Sequence, residues 1–294
     1  MYALLFLFGL AIGSFLNVVA LRYDPERGVF NFRSIGGRSH CLSCNTQLRS
    51  HDLIPLLSFL LLRAKCRYCR HPLSFRYPIV ELISGFIFLL PLYFNDHFGL
   101  AHLLLRNGTL IWYYALIAIW TLALLVFLLI ALIDIQLFII PNGLNWMLVA
   151  LGMARAGILF WYDKFDTTYG TFLGNYALLA GFRGNVFVNS AVGALIGAGF
   201  FGVIIAATRG RGMGLGDLKL AAALGILFGW PDIALVIVFA FIFGSLYSVR
   251  LLLAGTKSLK DAVPFGPFIV LGATFVVFFG YDIAQWYFNF FNII

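Results

Sequence analysis

Asp134 closes one apolar stretch of this chain, and Asp217 opens another in Gly214-Leu215-Gly216-Asp217. A carboxylate in or beside hydrocarbon is expensive, so it usually has a task or a partner. Two carboxylates that can meet form an acid–base pair able to split an amide bond. The ionised one takes a proton from water as the water attacks the carbonyl, and the protonated one donates to the carbonyl oxygen. Like charges a few ångströms apart do not both ionise easily, so the pair titrates with split values. Which aspartate starts protonated is not written in the sequence. A plainer reading stands beside this one. Asp217 could cap the helix that begins at Leu218, and Lys219 could be a snorkelling lysine. Pairing, depth, side and the glycine-rich approach Arg209–Gly216 together favour chemistry. That approach is too rich in glycine for a rigid helix, and Pro141 marks a boundary just beyond Asp134.

The second reactive set is four cysteines, Cys41-Leu-Ser-Cys44 and Cys66-Arg-Tyr-Cys69. Two CxxC knuckles give four soft ligands at a spacing close to a zinc ribbon, each ligand about 2.3 Å from a tetrahedral ion. Arg38, Lys65, Arg67 and Arg70 favour the thiolate form. Four thiolates leave no open position, so the expected Zn2+ is structural. Disulfides and redox chemistry are the rivals. Cytosolic thiols stay reduced, and no thioredoxin-like βαβ context surrounds either pair. His40 and His71 flank the knuckles as surplus groups and read as solvated loop residues.

These groups must be held by membrane helices. The chain is 62% hydrophobic and only 11% charged, against about 25% charged in soluble domains. Several apolar runs reach or approach the roughly 20 residues needed to cross a bilayer. Eight helices are expected, near residues 2–21, 77–94, 109–133, 143–161, 188–207, 218–230, 233–253 and 265–282. The first lacks a separated basic n-region and an A-x-A cleavage site, and reads as a retained span. The expected fold is therefore all-α and polytopic, with a small zinc-ribbon-like cytoplasmic domain inserted after the first helix. The divisions are 1–21, the first span; 22–76, the zinc-binding segment; and 77–294, a bundle of seven further helices.

Ten of the 20 Lys and Arg lie in residues 22–76. Positive charge gathers on the cytoplasmic side, which puts both termini outside and both aspartates at the cytoplasmic edge. The net charge of +8 is accounted for by this bias and by anionic lipid, and no nucleic-acid partner is expected. Gly193-Ala-Leu-Ile-Gly197 offers a small-xxx-small helix contact. Arg155 falls in mid-helix, where snorkelling and pairing with a carboxylate both stand open. The aromatic-rich 162–187 loop carries no functional reading, and nothing indicates oligomeric state.

Taken in order, several segments resemble the bacterial type IV prepilin peptidases, membrane aspartic peptidases of the GxGD kind. They are Gly13–Arg22, Arg38–Cys44, Leu53–Ser58, Cys66–Cys69, Phe75–Leu82, the Asp134 segment ending Ile140-Pro141-Asn142, Gly214–Leu220 and Pro264-Phe-Gly-Pro267. GxGD alone is weak, but the ordered set is specific and spans most of the chain. The resemblance implies catalysis by Asp134 and Asp217 and zinc on Cys41, Cys44, Cys66 and Cys69. It also implies removal of the basic leader from type IV prepilins or type II secretion pseudopilins at the cytoplasmic face of the inner membrane. N-methylation of the new N-terminus by S-adenosylmethionine would follow, and Glu81 and Gly85 occupy motif positions that could serve it. For Glu81 an interfacial anchor is the equal alternative. No G-x-G-x-x-G follows a strand, so no Rossmann-type cofactor site is visible. The chain departs from common family patterns at Leu53, Asn142 and Arg211. A peptidase that only cleaves is the enzymatic alternative. A zinc-stabilised transporter or scaffold with ion-binding aspartates is the other, although no two-halves symmetry is visible.

Overall fold

Helix takes the expected apolar stretches because each run can satisfy its backbone internally, as hydrocarbon demands. The computed structural model describes residues 2–29, 36–93, 110–163, 171–174, 176–177, 185–255 and 262–290. Among these residues the helices are α1 (Tyr2–Leu21), α2 (Leu57–Leu61), α3 (Arg76–Tyr93), α4 (Leu110–Leu137) and α5 (Asn142–Asp163). They continue with α6 (Val186–Thr208), α7 (Leu215–Phe228), α8 (Asp232–Leu253) and α9 (Gly266–Phe290). No strand occurs among the described residues, only two isolated bridges, His40–Gln47 and Lys65–Pro72. All eight expected helices are present, and among the described residues six are long and apolar enough to cross a membrane. The sixth expected span, α7, has 14 residues. At 1.5 Å per residue it is about 21 Å long, short of a hydrocarbon core of about 30 Å.

The chain forms two compact units, Met1–Tyr93 and Phe94–Ile294. In the first, α1 and α3 run antiparallel, so close that side chains are excluded at the crossing. A methyl group on Gly9 would lie 2.7 Å from the Ser84 carbonyl oxygen, and one on Gly13 would lie 2.8 Å from Glu81 Cα. One on Gly85 would strike the Phe6 ring at 2.7 Å. Gly85 is thus a packing residue, and the small residues that permit this approach set Glu81 beside the last turns of α1. One turn further along, Asn17 Nδ2 donates to the Tyr77 carbonyl at 3.3 Å.

In the second unit α4 is the hub. Of its most apolar stretch 78% is buried, against 17% for α6, which leaves α6 as an outer helix. The expected small-xxx-small contact forms between α6 and α7: methyl groups on Gly193 and Gly197 would collide with the carbonyl oxygens of Gly225 and Ala221. About 21 Å along α4 from Asp134, Trp120 packs on Phe172 and Phe228 with ring centroids 4.8 and 5.3 Å apart. Arg155 sits here, its guanidinium 5.7 Å from the Trp120 centroid, and donates from Nη1 to the Leu227 carbonyl at 3.0 Å. It does not snorkel. The fully buried Asp232 lies within reach of its charge and accepts the Phe172 N–H at 2.9 Å. Of the 162–187 loop only part lies among the described residues, and within that part Asp232 holds the backbone at Phe172 and Leu173.

Candidate active site and metal centre

Asp134 lies in the last turn of α4, not beyond it, because the helix runs on to Leu137. Phe138 then adopts a left-handed conformation, φ 56°, and its N–H returns to the Asp134 carbonyl at 2.9 Å. That closes α4 one turn after the carboxylate. The Asp134 side chain is 4% exposed, and its Oδ2 accepts the Gly266 N–H at 3.0 Å. Gly266 opens α9, and a methyl group there would lie 2.6 Å from that same oxygen. Glycine at 266 therefore gives the carboxylate both its donor and its room. The N-terminal end of a helix also carries partial positive charge that favours an anion.

Asp217 is not the cap of α7. The cap is Gly214, in extended conformation, and Leu215 and Gly216 are already helical, which corrects the expectation of irregular backbone up to the aspartate. Asp217 occupies the third helical position and accepts the Gly214 N–H on Oδ2 at 3.2 Å, the return half of a capping box. It is close enough to Asp134 to feel its charge. Ile140 packs against the starts of both helices: methyl groups on Gly216 and Gly266 would sit 3.4 and 3.1 Å from its side chain. Lys219 Nζ donates to Asn142 Oδ1 at 3.1 Å, joining the starts of α7 and α5. The end of α4 and the starts of α5, α7 and α9 thus meet around two carboxylates.

Pro264–Pro267 stands out in the sequence as a motif segment, but its part in this site does not. Proline directly after the first helical residue signals a helix start, but nothing in the sequence says that this start faces Asp134.

In residues 1–93 the four cysteine Sγ atoms all lie within 4.8 Å of one another, Cys41 and Cys69 3.9 Å apart. Four sulfurs on a tetrahedral zinc would be about 3.8 Å apart, so the cluster has the size such an ion needs. The knuckles repeat one construction. Cys41 N–H donates to the Thr46 carbonyl and Asn45 N–H to the Cys41 carbonyl; Cys66 pairs with His71 and Arg70 with Cys66 in the same way. Asn45 and Arg70 both take positive φ, 55° and 57°. Hydrogen bonding to Thr46 lowers the Cys44 thiol to about 6. At Cys69 the His71 backbone pulls downward, but desolvation and bonds with the other thiols push it up to about 11. His40 and His71 are exposed and stand outside the cluster. Asp52 ties the second knuckle to the 50–53 turn, bonded to Arg67 Nε at 2.6 Å, the Tyr68 hydroxyl at 3.1 Å and the Arg49 N–H at 3.1 Å.

What the second unit defines is a polytopic helical protein with a pair of carboxylates gathered at one end of its bundle. The Bacterial Peptidase A24 N-terminal domain model matches residues 7–94, and the Type IV leader peptidase family model matches residues 120–249. Proteins named prepilin leader peptidase/N-methyltransferase are similar along almost the whole chain. That of Aeromonas hydrophila is 30% identical, over 97% of this chain and 93% of its own. That of Legionella pneumophila is 30% identical, over 98% and 94%, and that of Bacillus subtilis (strain 168) is 31% identical, over 98% of each. No solved structure gives a significant match. The chain belongs to the type IV leader peptidase family.

Proposed function

We propose that this protein is a prepilin leader peptidase and N-methyltransferase of a bacterial inner membrane, with Asp134 and Asp217 as its catalytic pair. The observation that carries the reading is the convergence of two carboxylates from helices far apart in sequence, each bonded by a backbone N–H at a helix start. Such fixed donors hold the carboxylates in place without supplying a counter-charge that would quench them as acid and base. One aspartate holds a proton while the other is ionised. The ionised group deprotonates a water as it attacks the scissile carbonyl, and the protonated group donates to the carbonyl oxygen. Collapse of the tetrahedral species passes a proton to the leaving amine and frees the mature N-terminus. The positive-inside bias supports a site at the cytoplasmic face with both termini outside. The substrates by this reading are type IV prepilins or type II secretion pseudopilins.

Cys41, Cys44, Cys66 and Cys69 would hold a structural zinc, which closes the knuckles of residues 22–76 and leaves no open coordination position. The second step takes its methyl group from S-adenosylmethionine as co-substrate. The test is incubation of the purified protein in lipid with a prepilin and S-adenosylmethionine, followed by mass spectrometry of the product's N-terminus. A shortened, methylated product is expected, with cleavage reduced at least about 10²–10⁴-fold in Asp134→Asn and Asp217→Asn. Shortening without methylation would reduce the function to a peptidase. Cleavage unaffected by either substitution would move the aspartates to another role, such as ion binding.

A further inference from the structure

The first unit encloses a cavity of about 490 Å3 between the end of α1, the cysteine knuckles, α2 and the start of α3. That is within the range of roughly 300–1,000 Å3 that holds small-molecule ligands. Arg67 on its wall is engaged by Asp52, and Arg22 donates to the carbonyls of Gly36 and Arg38. Glu81 is different. It is 7% exposed, and its bonds are to neutral donors, the Leu56 N–H at 2.8 Å and the Ser14 hydroxyl. Among the described residues no Lys, Arg or His lies within 4.0 Å of its carboxylate. A carboxylate buried without a cation is costly. A cationic ligand in the cavity would offset that cost.

Resting on the N-methyltransferase reading, we propose that this cavity seats the methyl donor, with Glu81 facing the sulfonium of S-adenosylmethionine. The remaining surface suits the rest of that molecule: Leu53, Phe59 and Leu62 offer an apolar slot for a purine, and Ser58 and Tyr77 offer hydroxyls. In the transfer, the N-terminal ammonium first loses a proton to solvent. The amine nitrogen then attacks the methyl carbon, and the C–N bond forms as the C–S bond breaks. The electron pair stays on sulfur, leaving a neutral thioether and a methylated ammonium. The charge that Glu81 faces therefore disappears from sulfur in the step, so the site holds the donor more tightly than the spent product.

The experiment compares binding of S-adenosylmethionine with that of S-adenosylhomocysteine, by calorimetry on the full-length zinc-loaded protein in lipid discs. Glu81→Gln is expected to weaken the sulfonium compound by roughly tenfold or more and the thioether by far less. Ser58→Trp, which pushes an indole into the cavity, is expected to weaken both. Zinc content checks the fold of each variant, and if Glu81→Gln loses zinc, Ser58→Trp decides. Equal weakening of both compounds by Glu81→Gln overturns the role given to Glu81. Undiminished binding in Ser58→Trp, with methylation intact, places the donor elsewhere and leaves the methyltransferase reading standing. A wild-type protein that neither binds the donor nor methylates overturns both.

Discussion

The four thiols gather from residues 41–69, on two knuckles each closed by its own backbone bonds. The two aspartates, by contrast, come together only through helix packing, and the donor to Asp134 lies 132 residues further along the chain. One centre is made by local turns, and its four thiols have the size a zinc ion would fill. The other is made by the packing of the bundle. Damage to the two should therefore separate: local chemistry at the first, remote geometry at the second.

The largest separation is expected from Cys66→Ser. Zinc per chain, measured by elemental mass spectrometry, should fall from one to none, since structural zinc supplies on the order of 10 kcal/mol in small cysteine sites. Prepilin cleavage should fall far less than in an aspartate variant. Equal losses would show that the two centres act as one.

Gly266→Ala tests the packed centre. The new methyl group would lie 2.6 Å from Asp134 Oδ2, and cleavage should drop about 10–100-fold, as a misplacement near 1 Å can cost, with zinc unchanged. Gly225→Ala should act on stability, not chemistry, because α6 and α7 must move apart. A loss of about 1–3 kcal/mol is expected in denaturant unfolding.

Asp52→Asn should have the smallest effect. Burial raises this carboxyl, but the Arg67 bond and its other partners outweigh that and leave it below its ordinary value. The sign follows: its contribution is complete above the unfolded-state value and fades as pH falls through the lower folded-state value. Wild type should therefore exceed Asp52→Asn in stability near neutrality, and the gap should close in acid. A constant gap in pH-dependent unfolding would show that charge is not the cause.

Much of this molecule is legible in residue order. The CxxC pairs, the eight apolar runs and the Gly193–Gly197 contact are local patterns, and local patterns survive folding. The helix near 109–133 runs a turn further, to Leu137, and the Asp134 side chain is satisfied from α9. No window of sequence around Asp134 contains Gly266. Arg155 stays open in sequence for the same reason: Trp120, Leu227 and Asp232 meet it only after four elements pack. Lys219, for which snorkelling is only the plainer of the readings the sequence allows, reaches Asn142 across 77 residues. The sequence names the reactive groups, but their orienting donors belong to distant helix starts.

Ile140 has no polar atom in its side chain, yet it stands between the glycines that flank both carboxylates. It works as a shim. The spacing of the two helix starts is met there by the width of a branched aliphatic group, which neither ionises nor hydrogen-bonds. One methylene at position 140 is thereby a fine adjustment of how closely the starts of α7 and α9 approach.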